Sequence, residues 1–385
     1  MLKSGQMNRL IESHLERDLT RKMVFLTGPR QSGKTTLAGL IAEKFPSAQM
    51  LNWDVLADRR VILSQSWVPD TKLLVFDELH KMKEWRPWLK GVYDGRAREQ
   101  AILVTGSARL DVFRQAGESL AGRYFSWHLL PVTVHELVAV TDFSPEEALS
   151  RLLERGGFPE PLLADTETDA RRWRQLYLDG LIRDDILEFS RIGEVRAMRL
   201  FVQMLRERIG SPVSLASIAR DLQISPTTLG RYLQILETLH IVFLVRPFHH
   251  NIARALLKEP KVYFYDTGLV IGDDGTRFEN ACATMLYAQI KLMREALGRE
   301  TSLHYIRNKE GREIDFVTCD SGAPLQFIES KWADPKVPKY LATIASRFPI
   351  AKATLLVRHL RQREQRGLIS VEPAADWLAN LGISK

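Results

Sequence analysis

Over its first 130 residues the chain alternates short runs rich in β-formers with longer amphipathic stretches. Met23–Thr27, Ala48–Leu51, Lys72–Phe76, Ala101–Thr105 and Tyr124–Leu129 are too short for helices and read as strands. The stretches between them read as helices. Residues 1–20 form a further helical pattern, with Leu2, Leu10, Leu15 and Leu19 set among charges. Strands alternating with helices predict an α/β core whose mainly parallel sheet is covered on both faces. Residues 131–190 are helical in pattern, interrupted at Arg155-Gly-Gly-Phe-Pro-Glu-Pro161, where glycines and prolines impose a turn. Residues 195–270 pair helices with two late strands, Ile241–Arg246 and Lys261–Tyr265. Beyond Thr276 come a helix, two strands and further α/β structure.

Composition narrows the setting. The longest apolar run, Leu239-His-Ile-Val-Phe-Leu-Val245, is far below the ~20 residues of a membrane span, so no membrane partner is expected. Met1–Thr20 is polar and amphipathic rather than a signal peptide. With Cys282 and Cys319 the only cysteines, a disulfide framework is excluded, and a cytoplasmic location is expected. The net charge is +7, and residues 191–260 hold ten Lys/Arg against five acids. Such a local excess suits an anionic partner, nucleic acid first, although a solvated helix face has the same arithmetic.

The chemistry is most legible at Gly28-Pro29-Arg30-Gln31-Ser32-Gly33-Lys34-Thr35, which fits G-x-x-x-x-G-K-[ST] at every fixed position. Gly28 and Gly33 allow successive backbone N–H groups to converge on phosphate oxygens. Lys34 brings a charge to the β- and γ-phosphates, and the Thr35 hydroxyl is a magnesium ligand. A strand precedes the loop and a helix through Thr36 follows it, so a helix dipole adds to anion binding. ATP with Mg²⁺ is the expected ligand.

Leu73-Leu-Val-Phe-Asp77-Glu78 supplies the second element, a buried strand ending in two acids where an open α/β sheet binds ligands. Asp77 would hold magnesium through water, and Glu78 would orient the attacking water. A pair of acids at a helix N-terminus is the competing reading. Ala101-Ile-Leu-Val-Thr105-Gly-Ser107 is expected between these two strands, with Ser107 preferred to Thr105 as the hydroxyl reporting on the γ-phosphate. Arg123, behind a glycine turn in Ser119-Leu-Ala-Gly-Arg123-Tyr, is a candidate arginine finger for a neighbouring subunit. An intramolecular ion pair is its other role.

Taken in order, Gly-Pro-Arg-Gln-Ser-Gly-Lys-Thr, Phe-Asp-Glu-Leu-His, Val-Thr-Gly-Ser-Ala, Leu-Ala-Gly-Arg-Tyr, Gly-Gly-Phe-Pro-Glu and Leu-Ile-Arg183-Asp184-Asp-Ile give the chain a family likeness. It resembles the prokaryotic AAA-type (AAA+) ATPases that end in a domain of unknown function, over nearly its whole length. The resemblance implies a P-loop AAA+ core (1–135), a helical lid (136–192), a winged helix (193–272) and a restriction-endonuclease-like α/β domain of PD-(D/E)XK type (273–385). It makes Arg183 a candidate nucleotide-sensing arginine, with an ion pair to Asp184 or Asp185 as the alternative. A homo-oligomer, up to a hexameric ring, is expected if Arg123 acts in trans.

Two further readings rest on the residues themselves. Ser214–Leu222 and Ser225–Leu236 read as helix–turn–helix, with Ser225 as N-cap, Pro226 first in the helix, and Leu229, Leu233 and Leu236 buried. Thr227, Thr228, Arg231 and Gln234 then face outward, residue types suited to phosphates and base edges of DNA. The strands Ile241–Arg246 and Lys261–Tyr265 would be the wing; a protein–protein module is the alternative. In Pro324-Leu-Gln-Phe-Ile-Glu329-Ser-Lys331, Leu325, Phe327, Glu329 and Lys331 share a strand face. With Asp315, 14 residues earlier, they make the D-x(n)-E-x-K pattern of metal-dependent nucleases. Asp315 and Glu329 would hold magnesium, Lys331 would position water, and Glu279 would add a carboxylate. A salt-bridged strand end is the bland reading of Glu329 and Lys331.

The sequence thus points to an ATPase that couples hydrolysis to DNA remodelling or translocation, of helicase or branch-migration type, with metal-dependent cleavage as an option. The alternative is a nucleotide-gated switch whose winged helix binds a protein and whose nuclease-like domain is inactive.

Overall fold

The computed structural model describes residues 9–106, 120–182, 192–248 and 258–382. Two compact units are present: residues up to Leu130 together with Thr238–His240, and the remainder.

In the first unit the order is α1 (Glu12–Leu19), β1 (Met23–Thr27), α2 (Lys34–Ala42), β2 (Ala48–Asn52), α3 (Leu56–Ser64), β3 (Leu73–Asp77), α4 (Trp85–Gly95), β4 (Ala101–Thr105) and β5 (Tyr124–His128). The strands form a five-stranded sheet in the order β2-β3-β4-β1-β5, every neighbouring pair parallel. Every residue of β1, β3 and β4 is buried, as expected of central strands covered on both faces. One side of the sheet packs Phe25, Phe76 and Val104 against Leu79, Trp85 and Leu89. Because the strands run one way, their C-terminal ends share an edge. The sheet order reverses at β1, which lies next to β4 and not β2, and such a switch point opens a crevice at that edge. Asp77 is the last residue of β3, in register with Thr105, the last of β4.

The second unit begins with helices α5 (Val134–Val140), α6 (Pro145–Arg155), α7 (Pro159–Leu163), α8 (Glu167–Gly180) and α9 (Ile192–Arg206). Capping boxes at Thr133 and Ser144 start α5 and α6. The break at Gly156-Gly157 is required by close packing. Gly156 has φ +71°, and a Cβ there would lie 1.9 Å from Asp266 Oδ1; one on Gly157 would lie 2.8 Å from the Val132 carbonyl. Asp266 is itself buried in an ion pair with Arg174 of α8.

Then follow α10 (Leu215–Leu222), α11 (Pro226–Thr238), β6 (Val242–Pro247), β7 (Lys261–Phe264), α12 (Asp274–Leu297), β8 (Thr301–Arg307), β9 (Glu313–Asp320), β10 (Ala323–Lys331), α13 (Lys339–Arg347), β11 (Lys352–Val357), β12 (Glu364–Arg366), β13 (Ile369–Pro373) and α14 (Ala374–Ala379). The strands build one eight-stranded sheet, β12-β13-β11-β10-β9-β8-β6-β7. The hairpin expected to be a separate wing is therefore part of the C-terminal sheet, joined where β6 runs parallel to β8 at Arg246↔His304. α6 is tied to the same body: Arg358, just beyond β11, pairs with Glu146 and donates to Ser150 Oγ at 2.7 Å. α12 begins at Asp274 because Asp273 caps it by accepting from the Thr276 N–H.

Candidate nucleotide site and C-terminal carboxylate cluster

The loop from Gly28 to Gly33 leaves β1 and enters α2 through left-handed backbone at Gln31 (φ +60°) and Gly33 (φ +94°). Gly28, at φ +138°, passes so near β5 that a Cβ would lie 2.4 Å from the Leu129 carbonyl oxygen. Pro29 is buried, Arg30 half-buried, and Thr35 and Thr36 lie exposed in the first turn of α2. Lys34 Nζ donates to the carbonyls of Gly28 (3.1 Å) and Pro29 (2.6 Å), so the ammonium sits within the curl of the loop. Ser32 Oγ is buried with no hydrogen-bond partner among the described residues, a donor suited to a phosphate oxygen.

Asp77 is the hub beneath the loop. Its Oδ2 accepts from Thr35 Oγ1 at 3.0 Å and Asn52 Nδ2 at 3.3 Å, and its Oδ1 from Thr105 Oγ1 at 2.6 Å. A hydroxyl and a carboxylate side by side are the oxygen donors magnesium takes, so Thr35 and Asp77 fit that ion. Glu78 follows at φ +55°, its N–H bonded to the Thr105 carbonyl. Its carboxylate lies 3.2 Å from Lys81 Nζ and 3.7 Å from His80 Nε2. Burial pulls the Lys81 ammonium down, but bonding to Asp54 and the charge of Glu78 outweigh it, and its pKa is raised.

Three further residues contribute here, two of them, Arg9 and Asn52, unmarked in the sequence. Arg9 is buried and donates to the carbonyls of Ser32 (3.3 Å) and Leu130 (2.5 Å), bracing the loop from outside the motif. Asn52 has only its place at the end of β2 to mark it. Thr105, the less favoured of the two hydroxyls on its strand end, makes its contact because it is in register with Asp77. Ser107 and Arg183 lie outside the described residues. Of the two roles open to Arg123, the structure displays the intramolecular one: Nε and Nη2 hold the two carboxylate oxygens of Asp94 at 2.8 and 3.0 Å.

On α11, Ser225 accepts from the Thr228 N–H, and the two hydroxyls lie 2.8 Å apart, so Thr228 is engaged in the cap. Thr227, Arg231 and Gln234 are exposed. Leu229, Leu233 and Leu236 are buried.

Glu279 of α12 converges with Asp315 and Glu329 of the C-terminal sheet, together with Glu313 of β9. At their centre is a residue assigned to the wing. Lys261 of β7 is 0% exposed, and its Nζ lies 3.0 Å from Glu279 Oε1, 2.5 Å from Glu313 Oε1 and 3.7 Å from Asp315 Oδ1. Tyr263 OH also donates to Glu279 Oε1, at 2.7 Å. Asp315 Oδ2 accepts from Ser330 N (2.9 Å) and Ser330 Oγ (2.8 Å), and Lys331 Nζ is 2.8 Å from Glu329 Oε1. Burial disfavours the Lys261 charge, yet Glu279, Asp315 and Glu313 overcome it and raise its pKa. Burial and the charge of Asp315 push Glu279 upward, and the same causes push Glu329 up to about 7. A divalent ion does not fit here as expected: the space between the oxygens holds an ammonium, and the carboxylates already have donors. The signal was present in the strand alternation, which puts Lys261 with Tyr263, and Glu313 with Asp315, on common faces.

The glycine loop, its lysine and the strand-end aspartate on a parallel sheet define a P-loop nucleotide-binding ATPase core. Residues 20–138 match the AAA domain family, 146–272 a domain of unknown function (DUF8612), and 274–377 another (DUF4143). The chain thus carries an AAA-type ATPase domain followed by two domains of unknown function, the second at its C-terminal end. It is 28% identical over 356 residues to an uncharacterized protein of Mycobacterium tuberculosis, covering 89% of this chain and 78% of that one. An uncharacterized protein of Methanocaldococcus jannaschii is 22% identical over 342 residues, 82% and 75% of the two chains. Among solved structures it is similar to a Walker-type ATPase of Pyrococcus abyssi at 16% identity and TM-score 0.44, covering 68% of this chain and 94% of that one. No helix among the described residues is long and apolar enough to cross a membrane.

Proposed function

We propose that this chain hydrolyses ATP at the 28–35 loop and engages DNA through the outer face of α11, turnover driving remodelling or translocation of the nucleic acid by a cytoplasmic homo-oligomer, up to a hexameric ring. The observation that carries the reading is Asp77, held by Thr35, Thr105 and Asn52 directly below the phosphate loop. Lys34 would exchange the loop carbonyls for the β- and γ-phosphates, and Ser32 would donate its hydroxyl. Magnesium, held by Thr35 and through water by Asp77, would neutralise charge gathering on the phosphates. Glu78 would leave Lys81 to orient the attacking water and accept its proton, which implies slow basal turnover. Ser107 and Arg183 are assigned to sensing the nucleotide. Arg123 would have to leave Asp94 before reaching a neighbouring subunit. Thr227, Arg231 and Gln234 are exposed on a segment with a local basic excess, as contacts to phosphates and base edges require.

The test is phosphate release with and without DNA. DNA should stimulate it, and Lys34→Ala and Glu78→Gln should abolish it; wild-type protein inert with every DNA tried would reject the reading. Arg231→Ala should weaken DNA binding and reduce the salt slope by about one. A second reading, a nucleotide-gated switch with a protein partner on α11, is favoured by the Lys81 contact on Glu78. It predicts very slow turnover whatever the DNA, and DNA affinity with little salt dependence.

A further inference from the structure

We propose that the Lys261 ammonium is a built-in replacement for the divalent cation of the C-terminal carboxylate cluster, making this domain a metal-free module that does not cut DNA by metal-dependent hydrolysis. The argument rests on position. Lys261 lies on a strand of the same sheet as Asp315 and Glu329 and opposite the helix carrying Glu279, so its side chain arrives where the carboxylates face one another. Among oxygens at 3.0, 2.5 and 3.7 Å, Nζ stands in the space a shared metal ion would need, and a divalent ion beside it would meet a like charge. Magnesium also demands near-octahedral oxygen ligands at ~2.0–2.1 Å. Here Asp315 Oδ2 is taken by Ser330 and Glu329 Oε1 by Lys331.

Charge balance agrees. Glu279, Glu313, Asp315 and Glu329 face Lys261, Lys331 and Arg307, the last 3.6 Å from Glu313 Oε2. Four acids against three cations leave little unbalanced charge to attract a metal. The ammonium is fully buried, on a strand hydrogen-bonded to β6. Removing one member of a buried ion cluster leaves the others uncompensated, so the same residue also locks the β6–β7 hairpin to the C-terminal sheet.

The experiment uses the full chain without nucleotide, so that the phosphate loop adds no strong metal site. Manganese is titrated against wild type and Asp315→Asn by calorimetry and thermal unfolding, and both are assayed for nicking of plasmid DNA with magnesium or manganese. The expected result is no binding, stabilisation or nicking that depends on Asp315. Saturable manganese binding, or nicking, lost in Asp315→Asn would overturn the proposal. Lys261→Ala makes room for an ion while removing the charge. It should unfold at lower temperature and regain stability with manganese, a gain that the Lys261→Ala/Asp315→Asn double variant lacks. A Lys261→Ala protein as stable as wild type, or one that manganese does not stabilise, would equally overturn it. Should that variant fail to fold, the wild-type titration decides alone.

Discussion

Replacing Thr105 by valine isolates the contact that organises the nucleotide site. Valine keeps the shape of threonine and removes a single hydroxyl. That hydroxyl donates to Asp77 Oδ1 at 2.6 Å, with Thr105 fully buried and Asp77 only 7% exposed, so water cannot easily take its place. A hydrogen bond to a charged acceptor contributes about 1.5–3 kcal/mol, and losing it should lower unfolding free energy by ~2 kcal/mol in urea denaturation. Catalysis should suffer as well. Asp77 keeps Thr35 and Asn52 on Oδ2, but without Thr105 the carboxylate can rotate away from the position its neighbours impose. A misplacement worth about 1.4 kcal/mol in the transition state lowers turnover roughly tenfold. Phosphate release across a magnesium titration measures this, with Ser107→Ala as the comparison. Were Thr105→Val to unfold within ~0.5 kcal/mol of wild type and hydrolyse at its rate, the assignment of Asp77 as a hub would be refuted.

Two other outcomes follow from the second unit. Gly156→Ala should destabilise by at least ~2–3 kcal/mol, since it combines φ +71° with a Cβ 1.9 Å from the buried Asp266 carboxylate, whereas Gly298→Ala, at φ +66° with nothing within 4 Å, should cost about 1 kcal/mol; equal effects in chemical denaturation would reject the packing argument. Glu329 is pushed from 4.5 up to about 7 by burial first and the charge of Asp315 second. A carboxyl raised on folding holds its proton more tightly when folded, so its contribution is complete below about pH 4.5 and lost as pH rises through about 7. Denaturation at about pH 5 and about pH 8 should therefore show wild type losing stability relative to Glu329→Gln, by at most ~3 kcal/mol. Parallel pH profiles would show the group to be ordinary.

The phosphate loop and the strand bearing Asp77 and Glu78 were legible because each is local: consecutive residues, flanked by elements whose period announces them. The same holds for the Ser225 cap and the leucine stripe of α11, set by the turn-by-turn geometry of one helix. The Asp315–Glu329 pairing was legible for a related reason, since both lie on one hairpin. Arg9, Asn52 and Thr105 were hidden because their roles depend on which strands become neighbours. Thr105 meets Asp77 only after β4 inserts between β1 and β3. Lys261 marks the limit most clearly. Within its own strand it is one lysine before apolar residues, the usual start of an exposed edge. Its burial follows from the hairpin joining the C-terminal sheet and from α12 carrying Glu279 across it. Alternation along a chain states which side chains share a face, but which charge waits on the other side of that face is settled only when distant strands and helices close around it.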